Sequence, residues 1–265
     1  MTDASSLTEI LKTSQLSDVL ADVLVRVKAK PEDIALRKTL FKLYCIEGLW
    51  EKALMQLQTI ELIDDNAQKE TELYKNLVFS ELVRESVLAG ERTAGLLDES
   101  APEWMSMLLQ ANKLHTQKEH EQSEALRSQA FELAPETAGK GEMTGAFNWI
   151  ADSDGRLGPV CEFVSAGGYR QVPYSVIQLM TVPQPKDLLD LIWAPAHIKV
   201  NNEFYYGYIP ARYPVTPDAE QSLKLGTVTE WVQESDILST GLGRKMLITD
   251  RGEFSLLEVT EITFA

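Results

Sequence analysis

The chain has 265 residues, of which 44% are apolar and 25% charged, and its formal net charge is −15. This composition excludes wholesale disorder, a collagen-like chain and a disulfide scaffold. The acidic balance makes nucleic acid and anionic lipid poor partners, and it suits a neutral, basic or apolar partner. The length predicts two domains.

The cysteine usage and the N-terminus predict a cytoplasmic protein. Cys45 and Cys161 form no C-x-x-C or Cys/His motif, and lone thiols of this kind are typical of a reducing cytosol. The first residues are polar and acidic, unlike a basic secretory leader. The apolar stretch 19–27 is interrupted by Asp22 and Arg26, so we expect no membrane partner.

Apolar residues recur at helical spacing through the first half of the chain. Leu40 and Tyr44 lie on one stripe, and a second stripe follows the break at Gly48. These residues, together with Ala53, match part of the 34-residue tetratricopeptide pattern of paired helices. The sequence therefore predicts an all-α, tetratricopeptide-like helical repeat domain over residues 1–138, with a plain helical bundle as the alternative.

The period of the apolar pattern changes to two after residues 135–147, a glycine-rich stretch that we interpret as a linker or a domain entry. Pairs of extended segments flank turn-forming residues at 166–168, 201–202 and 250–253, and each pair predicts a β-hairpin. They indicate a mostly antiparallel, barrel-like β domain over residues 146–265. The predicted fold class is therefore α+β, with two domains.

Motifs that would carry catalysis or bind a metal are incomplete in this sequence. His115 and His120 are five residues apart, and with His197 they form no transition-metal motif. Residues 241–245 place two glycines before two cations but lack the rest of a dinucleotide-binding or phosphate-binding loop. Neither a nucleophile elbow nor a Ser-x-x-Lys motif occurs. The sequence predicts no catalytic residue, no metal and no cofactor.

Asp152, Asp154 and Arg156 lie in a segment that begins like a calcium loop. A calcium loop needs ligands at its fifth and twelfth positions, where this sequence has Arg156 and Phe163. We therefore interpret the segment as a structural turn whose carboxylates accept hydrogen bonds from backbone N–H groups or from an arginine. An alternative hypothesis makes these three polar groups, with Arg212, the machinery of an enzyme that modifies a small molecule or peptide.

Aromatic residues, glycine, proline and arginine cluster in the second half of the chain. Such clusters occur both in binding hot spots and in the buried corners of small β domains. The candidates for a structural role or for a surface motif are Trp149, Asp152, Asp154, Arg156, Arg212, Tyr213, Glu230 and Trp231.

The order of these clusters resembles the ImpE/SciE/TagJ family. The resemblance is carried by Phe147-x-Trp149-x-x-Asp152-x-Asp154-x-Arg156-Leu157-Gly158-Pro159-Val160, Ile209-Pro210-x-Arg212-Tyr213-Pro214, Gly226-x-x-Thr229-Glu230-Trp231 and Met246-Leu247-x-Thr249-Asp250. It extends to the helical first half, so it covers nearly the whole chain. Ala211 departs from the pattern, because a polar residue is expected at that position.

The resemblance implies a non-enzymatic accessory protein of the bacterial type VI secretion system. It implies an adaptor that binds the small tail-sheath protein, through a helix near that subunit's N-terminus. Through this contact the adaptor is linked to the AAA+ ATPase that disassembles the sheath. The resemblance assigns no contact residues to this chain.

The residues themselves predict how such a partner helix is bound. The helical half offers a groove for an amphipathic helix, and its candidate lining residues are Tyr44, Trp50, Tyr74 and Trp104. Each of these aromatic side chains has burial in the core as its alternative. Residues 1–145 hold 16 basic and 25 acidic side chains, a net charge of −9, which predicts a basic or apolar partner segment.

Overall fold

The computed structural model describes residues 4–97 and 101–265, with helices first and strands after them. The long helices are α1 (Ala4–Thr13), α2 (Leu16–Ala29), α3 (Ile34–Glu47), α4 (Trp50–Ile63), α5 (Gln68–Leu88), α6 (Glu103–Thr116) and α7 (His120–Leu133), and a short helix, α8 (Gln221–Lys224), lies among the strands. Within the described ranges no helix combines the length and the apolar character needed to cross a bilayer.

The strands begin directly after the last long helix. They are β1 (Gly139–Gly141), β2 (Gly145–Phe147), β3 (Ile150–Asp152), β4 (Val160–Ser165), β5 (Gly168–Pro173), β6 (Ile177–Thr181), β7 (Trp193–Val200), β8 (Glu203–Pro210), β9 (Thr229–Gln233), β10 (Ser239–Gly243), β11 (Met246–Thr249), β12 (Gly252–Ser255) and β13 (Glu261–Phe264). This order confirms the predicted α+β fold class.

Helices α3 and α4 form the helical pair that the tetratricopeptide-like pattern predicts. Asp33 caps α3 by accepting a hydrogen bond from the N–H of Leu36 at 3.1 Å. Gly48 ends α3 in the left-handed region at φ 71°, where glycine carries no Cβ penalty. Ala53 is fully buried in α4, and α3 and α4 pack together along their length. The cap, the glycine at the helix end and the small buried alanine are all readable from the local sequence, and together they define this helix pair.

In the described part of the chain, eight strands form one open antiparallel sheet in the order β2-β1-β13-β6-β7-β8-β4-β5. The predicted hairpins are present as β4–β5, β7–β8 and β11–β12. Asn201 and Asn202 make the β7–β8 turn with φ of 51° and 65°, the backbone of a type I′ turn. The description of this part as barrel-like was too strong, because β2 and β5 remain edges and the sheet does not close.

Of the two interpretations of residues 135–147, a linker or a domain entry, the linker is wrong, because residues 139–147 form a hairpin within the large sheet. β1 pairs with β2 and also with β13 at the C-terminus, where Gly139 lies opposite Phe264. A Cβ on Gly139 would lie 2.7 Å from the Phe147 ring and 2.8 Å from the carbonyl oxygen of Thr263. The glycine is therefore required by close strand approach, which is a role that composition does not distinguish from a linker.

The helices cover one face of the large sheet. A core on that face joins Leu40 and Leu57 of the helices to Val164 and Trp193 of the strands. The opposite face packs against the second sheet, β12-β11-β3. Helices and strands therefore share a core, and the division into domains at 1–138 and 146–265 stays a prediction.

Close approach between β4 and β8 generates a stability prediction. A Cβ on Gly207 of β8 would lie 2.1 Å from the carbonyl oxygen of Val164 and 2.9 Å from the Phe163 ring. We expect Gly207→Ala to destabilise the protein by about 1–3 kcal/mol, because this overpacking must displace backbone. Thermal melting followed by circular dichroism measures the effect.

The matched control is Gly145→Asn. Gly145 has φ 64° with open space around it, and asparagine tolerates this backbone region. The control should melt close to the wild-type temperature. An unchanged melting temperature for the Gly207 variant would contradict the role assigned to close strand approach.

Candidate functional site

Helix α5 carries charged side chains on its buried face, and they meet a charged residue of the large sheet. Arg84 donates from Nε and Nη2 to the two carboxylate oxygens of Glu162 on β4, at 2.6 and 2.9 Å. Its Nη1 donates to Glu81 at 3.1 Å. Glu162 also accepts hydrogen bonds from the Tyr169 hydroxyl and from Lys245 Nζ, each at 2.7 Å. These groups are almost completely shielded from solvent.

The contacts continue from Lys245 into the predicted turn at Asp152. The Lys245 ammonium pairs with Asp152 and lies 4.8 Å from the centre of the Tyr213 ring. The Tyr213 hydroxyl donates to Asp152 Oδ1 at 2.8 Å. We call Glu81, Arg84, Asp152, Glu162 and Lys245 the buried ion network. It connects α5 to β3, β4 and the start of β11.

The network changes the ionisation of its members. Burial alone would raise the pKa of Glu162, but the charges of Arg84 and Lys245 outweigh it and hold that pKa far below the usual value. Burial alone would lower the pKa of Lys245, and its two carboxylate partners reverse the effect and raise it. Glu162 and Lys245 therefore remain charged at neutral pH, even though both are buried.

The turn at residues 152–156 has the structural hydrogen bonds that its sequence predicts. Asp154 accepts from Arg156 Nε at 2.9 Å and Nη2 at 2.6 Å, and from the N–H of Gly241 at 2.9 Å. Arg127 of α7 donates from Nη1 to the carbonyl oxygen of Gly155 at 2.6 Å. The turn thus binds β10 on one side and the helical layer on the other.

Arg212 donates its hydrogen bonds to backbone carbonyls, two of them at the C-terminal end of α3. Its guanidinium donates to the carbonyl oxygens of Cys45 at 2.7 Å and Ile46 at 2.8 Å, and to that of Lys224. Cys45 and Ile46 lie in the last turn of α3, where a cation stabilises the free carbonyls. Burial lowers the pKa of Arg212 to about 10. The carbonyl oxygen of Arg212 itself accepts from Arg84 at 3.0 Å.

The four aromatic residues proposed as groove lining pack in or against the core, which was the alternative for each of them. Tyr44, Trp50 and Trp104 are buried, and Tyr74 is half-buried. Trp50 packs on Trp193 of β7 with ring centroids 5.8 Å apart. They are not grouped along one open groove, because each packs where its helix contacts another helix or the sheet.

The remaining candidates are closer to solvent. Trp149 is half-buried and lines a cavity of about 420 Å³ together with Phe131 and Pro159. Glu230 and Trp231 lie on β9, which is exposed after its first residue. Trp231 packs against Tyr213 with ring centroids 5.7 Å apart. These residues are available to a partner, whereas Tyr213 is buried.

This geometry removes the motive for the enzyme hypothesis. Asp152 pairs with Lys245, Asp154 pairs with Arg156, and Arg212 is bonded to backbone carbonyls. Asp152 borders the cavity at Trp149 and Arg156 borders a different cavity near His115, so these groups do not converge in one pocket. Among the residues that the structure describes, no three His, Cys, Asp or Glu side chains are grouped to hold a metal ion.

Sequence reasoning missed Glu81, Arg84, Glu162 and Lys245. A signal for them was present, because Glu81 and Arg84 share one helical stripe with the buried Leu77 and Leu88. Glu162 interrupts the otherwise apolar strand that begins at Val160. Charges at core-facing positions predict buried partners, although the pattern does not say which charges meet.

Comparisons with known proteins agree with this fold. The model of the family described as ImpE protein matches residues 144–263. The type VI secretion system accessory component TagJ of Pseudomonas aeruginosa is 36% identical over 261 residues, covering 97% of this chain and 90% of the relative. The crystal structure of protein VPA1032 from Vibrio parahaemolyticus is similar with a TM-score of 0.88 and 26% identity, and the match covers 97% of each chain.

The fold is an α+β fold in which a helical layer is bonded to the β part through buried charges. The sequence identity to TagJ extends along nearly the whole chain, and the family model covers most of the β part. The chain belongs to the ImpE family of type VI secretion accessory components.

The buried ion network generates a second stability prediction. We expect Arg84→Met to destabilise the protein by about 3–5 kcal/mol, because Glu81 and Glu162 lose a buried partner. The double variant Arg84→Met/Glu162→Gln should lose less than the sum of the two single variants. Urea denaturation followed by tryptophan fluorescence measures each change in free energy.

Lys38→Met is the matched control for this cation. Lys38 pairs with Glu70 at the surface, where the two side chains are 40% and 48% exposed. Such pairs contribute about 0–1 kcal/mol, so the control should stay near wild type. Equal decreases in the free energy of unfolding for Arg84→Met and Lys38→Met would show that the buried ion network contributes no more to stability than a surface ion pair.

Proposed function

We propose that this type VI secretion accessory component is a cytoplasmic adaptor that binds the small tail-sheath protein. Through that subunit it is linked to the AAA+ ATPase that disassembles the sheath. The bound element is an amphipathic helix near the N-terminus of the sheath protein. The relationship to TagJ and the helical-layer architecture support this proposal.

An open groove in the helical layer carries the proposal. A cavity of about 490 Å³ lies between α1, α2 and α3, and its apolar lining includes Leu7, Ile10, Val19, Val23 and Leu36. Leu7, Val23 and Leu36 are buried, whereas Ile10 remains 38% exposed. A buried floor with an exposed apolar edge fits the apolar stripe of a partner helix. This groove replaces the aromatic lining that the sequence had proposed.

The rim of this groove selects the charge of the partner. Asp18, Asp22 and Arg26 line it, and Arg26 lies 3.6 Å from the Asp22 carboxylate. One acidic charge is therefore left in excess at the rim, on a chain of net charge −15. A helix with an apolar stripe and flanking cations complements this surface, and an acidic helix is repelled.

Binding through the groove depends on its exposed apolar edge. We expect Ile10→Arg to weaken binding of a labelled synthetic N-terminal helix of the small sheath protein by about tenfold or more, because it places a cation against an apolar stripe. Fluorescence anisotropy with the full-length protein measures the dissociation constant.

Leu62→Arg is the control for this change. Leu62 lies on α4 away from the groove and is 87% exposed, so the same substitution there should leave the affinity unchanged. If Ile10→Arg binds like wild type while Leu62→Arg does not, the partner helix lies on α4 and the groove is not its site.

The rim makes a separate kinetic prediction. We expect Asp18→Lys to lower the association rate of the same helix several-fold at low salt, with little change in the dissociation rate, because rim charges steer encounter. The difference should shrink at 0.5 M salt, where surface charges are screened. Stopped-flow anisotropy measures both rates, and Asp65→Lys, at a distant exposed position, serves as the control.

An effect of Asp18→Lys that is confined to the dissociation rate and insensitive to salt would contradict the steering role of the rim. Equal slowing by Asp65→Lys would show that the overall charge of the chain, and not this rim, attracts the helix.

A further inference from the structure

The ribbon of β9 and β10 has one covered edge and one open edge. β10 is bonded to the body of the protein, because Ser239 accepts from the N–H of Gly155 at 2.9 Å and Gly243 accepts from the N–H of Tyr213 at 2.7 Å. Among the described residues β9 pairs with β10 alone. The other edge of β9 therefore faces solvent.

The hydrogen bonds at both ends of β9 define which backbone groups face outward. The carbonyl oxygen of Val228 accepts from Arg244 at 2.8 Å, and the N–H of Glu234 donates to Leu238 at 2.9 Å. In an antiparallel pair such residues alternate along the strand. The backbone N–H and C=O groups of Glu230 and Val232 therefore also point toward β10.

It follows that the backbone N–H and C=O groups of Thr229, Trp231 and Gln233 point away from β10. These residues occupy the intervening positions of the register, opposite Gly243, Gly241 and Ser239. Three consecutive outward-facing pairs of donors and acceptors are the pattern to which a further strand adds.

The side chains of β9 and of the residue before it alternate between an exposed face and a face that packs against the protein. Val228 and Val232 are 42% and 41% exposed and share a face with Glu230, while Trp231 lies on the other face against Tyr213. Edge strands that resist pairing usually carry lysine, proline or a bulge. β9 has no lysine, proline or bulge, and its one charged side chain is that of Glu230.

The charge around the ribbon selects its partner. Glu230, Glu234 and Asp236 lie on β9 and the turn that follows it, and Glu124 of α7 accepts from the N–H of Asp236 at 2.9 Å. A second copy of this chain would bring these carboxylates against each other. A basic segment would neutralise them.

We propose that β9 is a docking edge for an extended basic peptide segment, which adds to it as a third antiparallel strand. The residue opposite Glu230 is a cation, and the residues two positions on either side of it are apolar and lie opposite Val228 and Val232. Backbone hydrogen bonds to Thr229, Trp231 and Gln233 hold the segment. This surface is separate from the helix groove, so it goes beyond the proposed function.

The probe for this surface is a synthetic peptide with the core Thr-Val-Thr-Lys-Thr-Val, whose first threonine lies opposite Gln233, titrated into the full-length protein. Backbone amide hydrogen exchange followed by NMR should show new protection at Thr229, Trp231 and Gln233. The amides of Glu230 and Val232 should change little, because β10 already protects them. A peptide with Glu in place of Lys should bind about tenfold more weakly, since it places like charges opposite each other.

Gln233→Pro and Gln233→Ala form the matched pair of variants. Proline removes an outward N–H that β10 does not use, and edge strands tolerate it at such positions. Gln233→Ala keeps the N–H and loses the same side chain. We expect the proline variant to lose peptide binding and the alanine variant to retain it, with both melting within a few degrees of wild type.

Several results would overturn the proposal. One is equal binding of the Lys peptide to both Gln233 variants, and another is equal binding of the Lys and Glu peptides to the wild-type protein. Protection at Thr229, Trp231 and Gln233 that rises with protein concentration in the absence of peptide would show that a second copy occupies the edge. Failure of these tests leaves the binding of the sheath helix by the groove variants unaffected.

Discussion

The bidentate ion pair between Arg84 and Glu162 is the contact on which the assembly of this protein depends. It is nearly inaccessible to water, and it joins a charged stripe on the buried face of α5 to β4, a strand that is otherwise mostly apolar. A buried charge without its partner is strongly unfavourable, so a shift of α5 to another register on the large sheet, which would separate Arg84 from Glu162, is disfavoured. Hydrophobic contacts between helix and sheet do not impose such a register, because apolar surfaces tolerate many similar packings.

The neighbouring contacts extend this constraint to the rest of the molecule. Glu81 of α5 accepts a hydrogen bond from the indole N–H of Trp193 at 2.8 Å, which ties β7 to the same helix. Arg212 joins the C-terminal end of α3 to the segment after β8. Lys245 connects Glu162 to the turn that contains Asp152. Each buried cation therefore joins segments that are distant in the sequence.

The sequence was sufficient where the cause of a structure is local. The β7–β8 turn follows from Asn201 and Asn202, since asparagine is one of the few residues that accept positive φ, and the end of α3 follows from Gly48. The turn at Asp154 was also predictable, because its carboxylate bonds to groups within two residues. In each case the contacts that define the turn or the helix end join neighbours along the chain, although Asp154 also accepts from the distant Gly241.

Prediction left alternatives open where the cause is a long-range contact. The glycines of residues 139–147 resemble a linker until β13 is placed beside them, more than 110 residues further along the chain. Trp50 and Trp104 have the same helical spacing whether they face a partner or the core, and packing against the sheet decides between the two. The partner of Arg84 lies 78 residues away, so its helical position identifies a buried charge without identifying Glu162.

The motif residues that carry the family resemblance therefore support the scaffold more than they form a binding surface. Asp152, Asp154, Arg212 and Tyr213 are buried and bonded to other parts of the chain, while Trp231 at the edge of this group is partly exposed. A surface assigned from the resemblance alone would consist largely of inaccessible residues. The contact residues have to be sought in the open groove and at the exposed strand edge.

Both of those surfaces are attached to the helical layer. Successive helices contact one another from α2 to α7, so α1 and α2 are at one end and α6 and α7 at the other. The groove belongs to the first end, whereas the ribbon reaches both ends: Thr227, before β9, borders a cavity with Leu11 of α1, and Asp236, after β9, donates to Glu124 of α7. Helix α5 lies between them and is the helix that the buried ion network holds to the sheet. A rigid spacing between two binding surfaces determines the effective concentration at which two bound segments meet, and a loosely packed helical layer would lose that control.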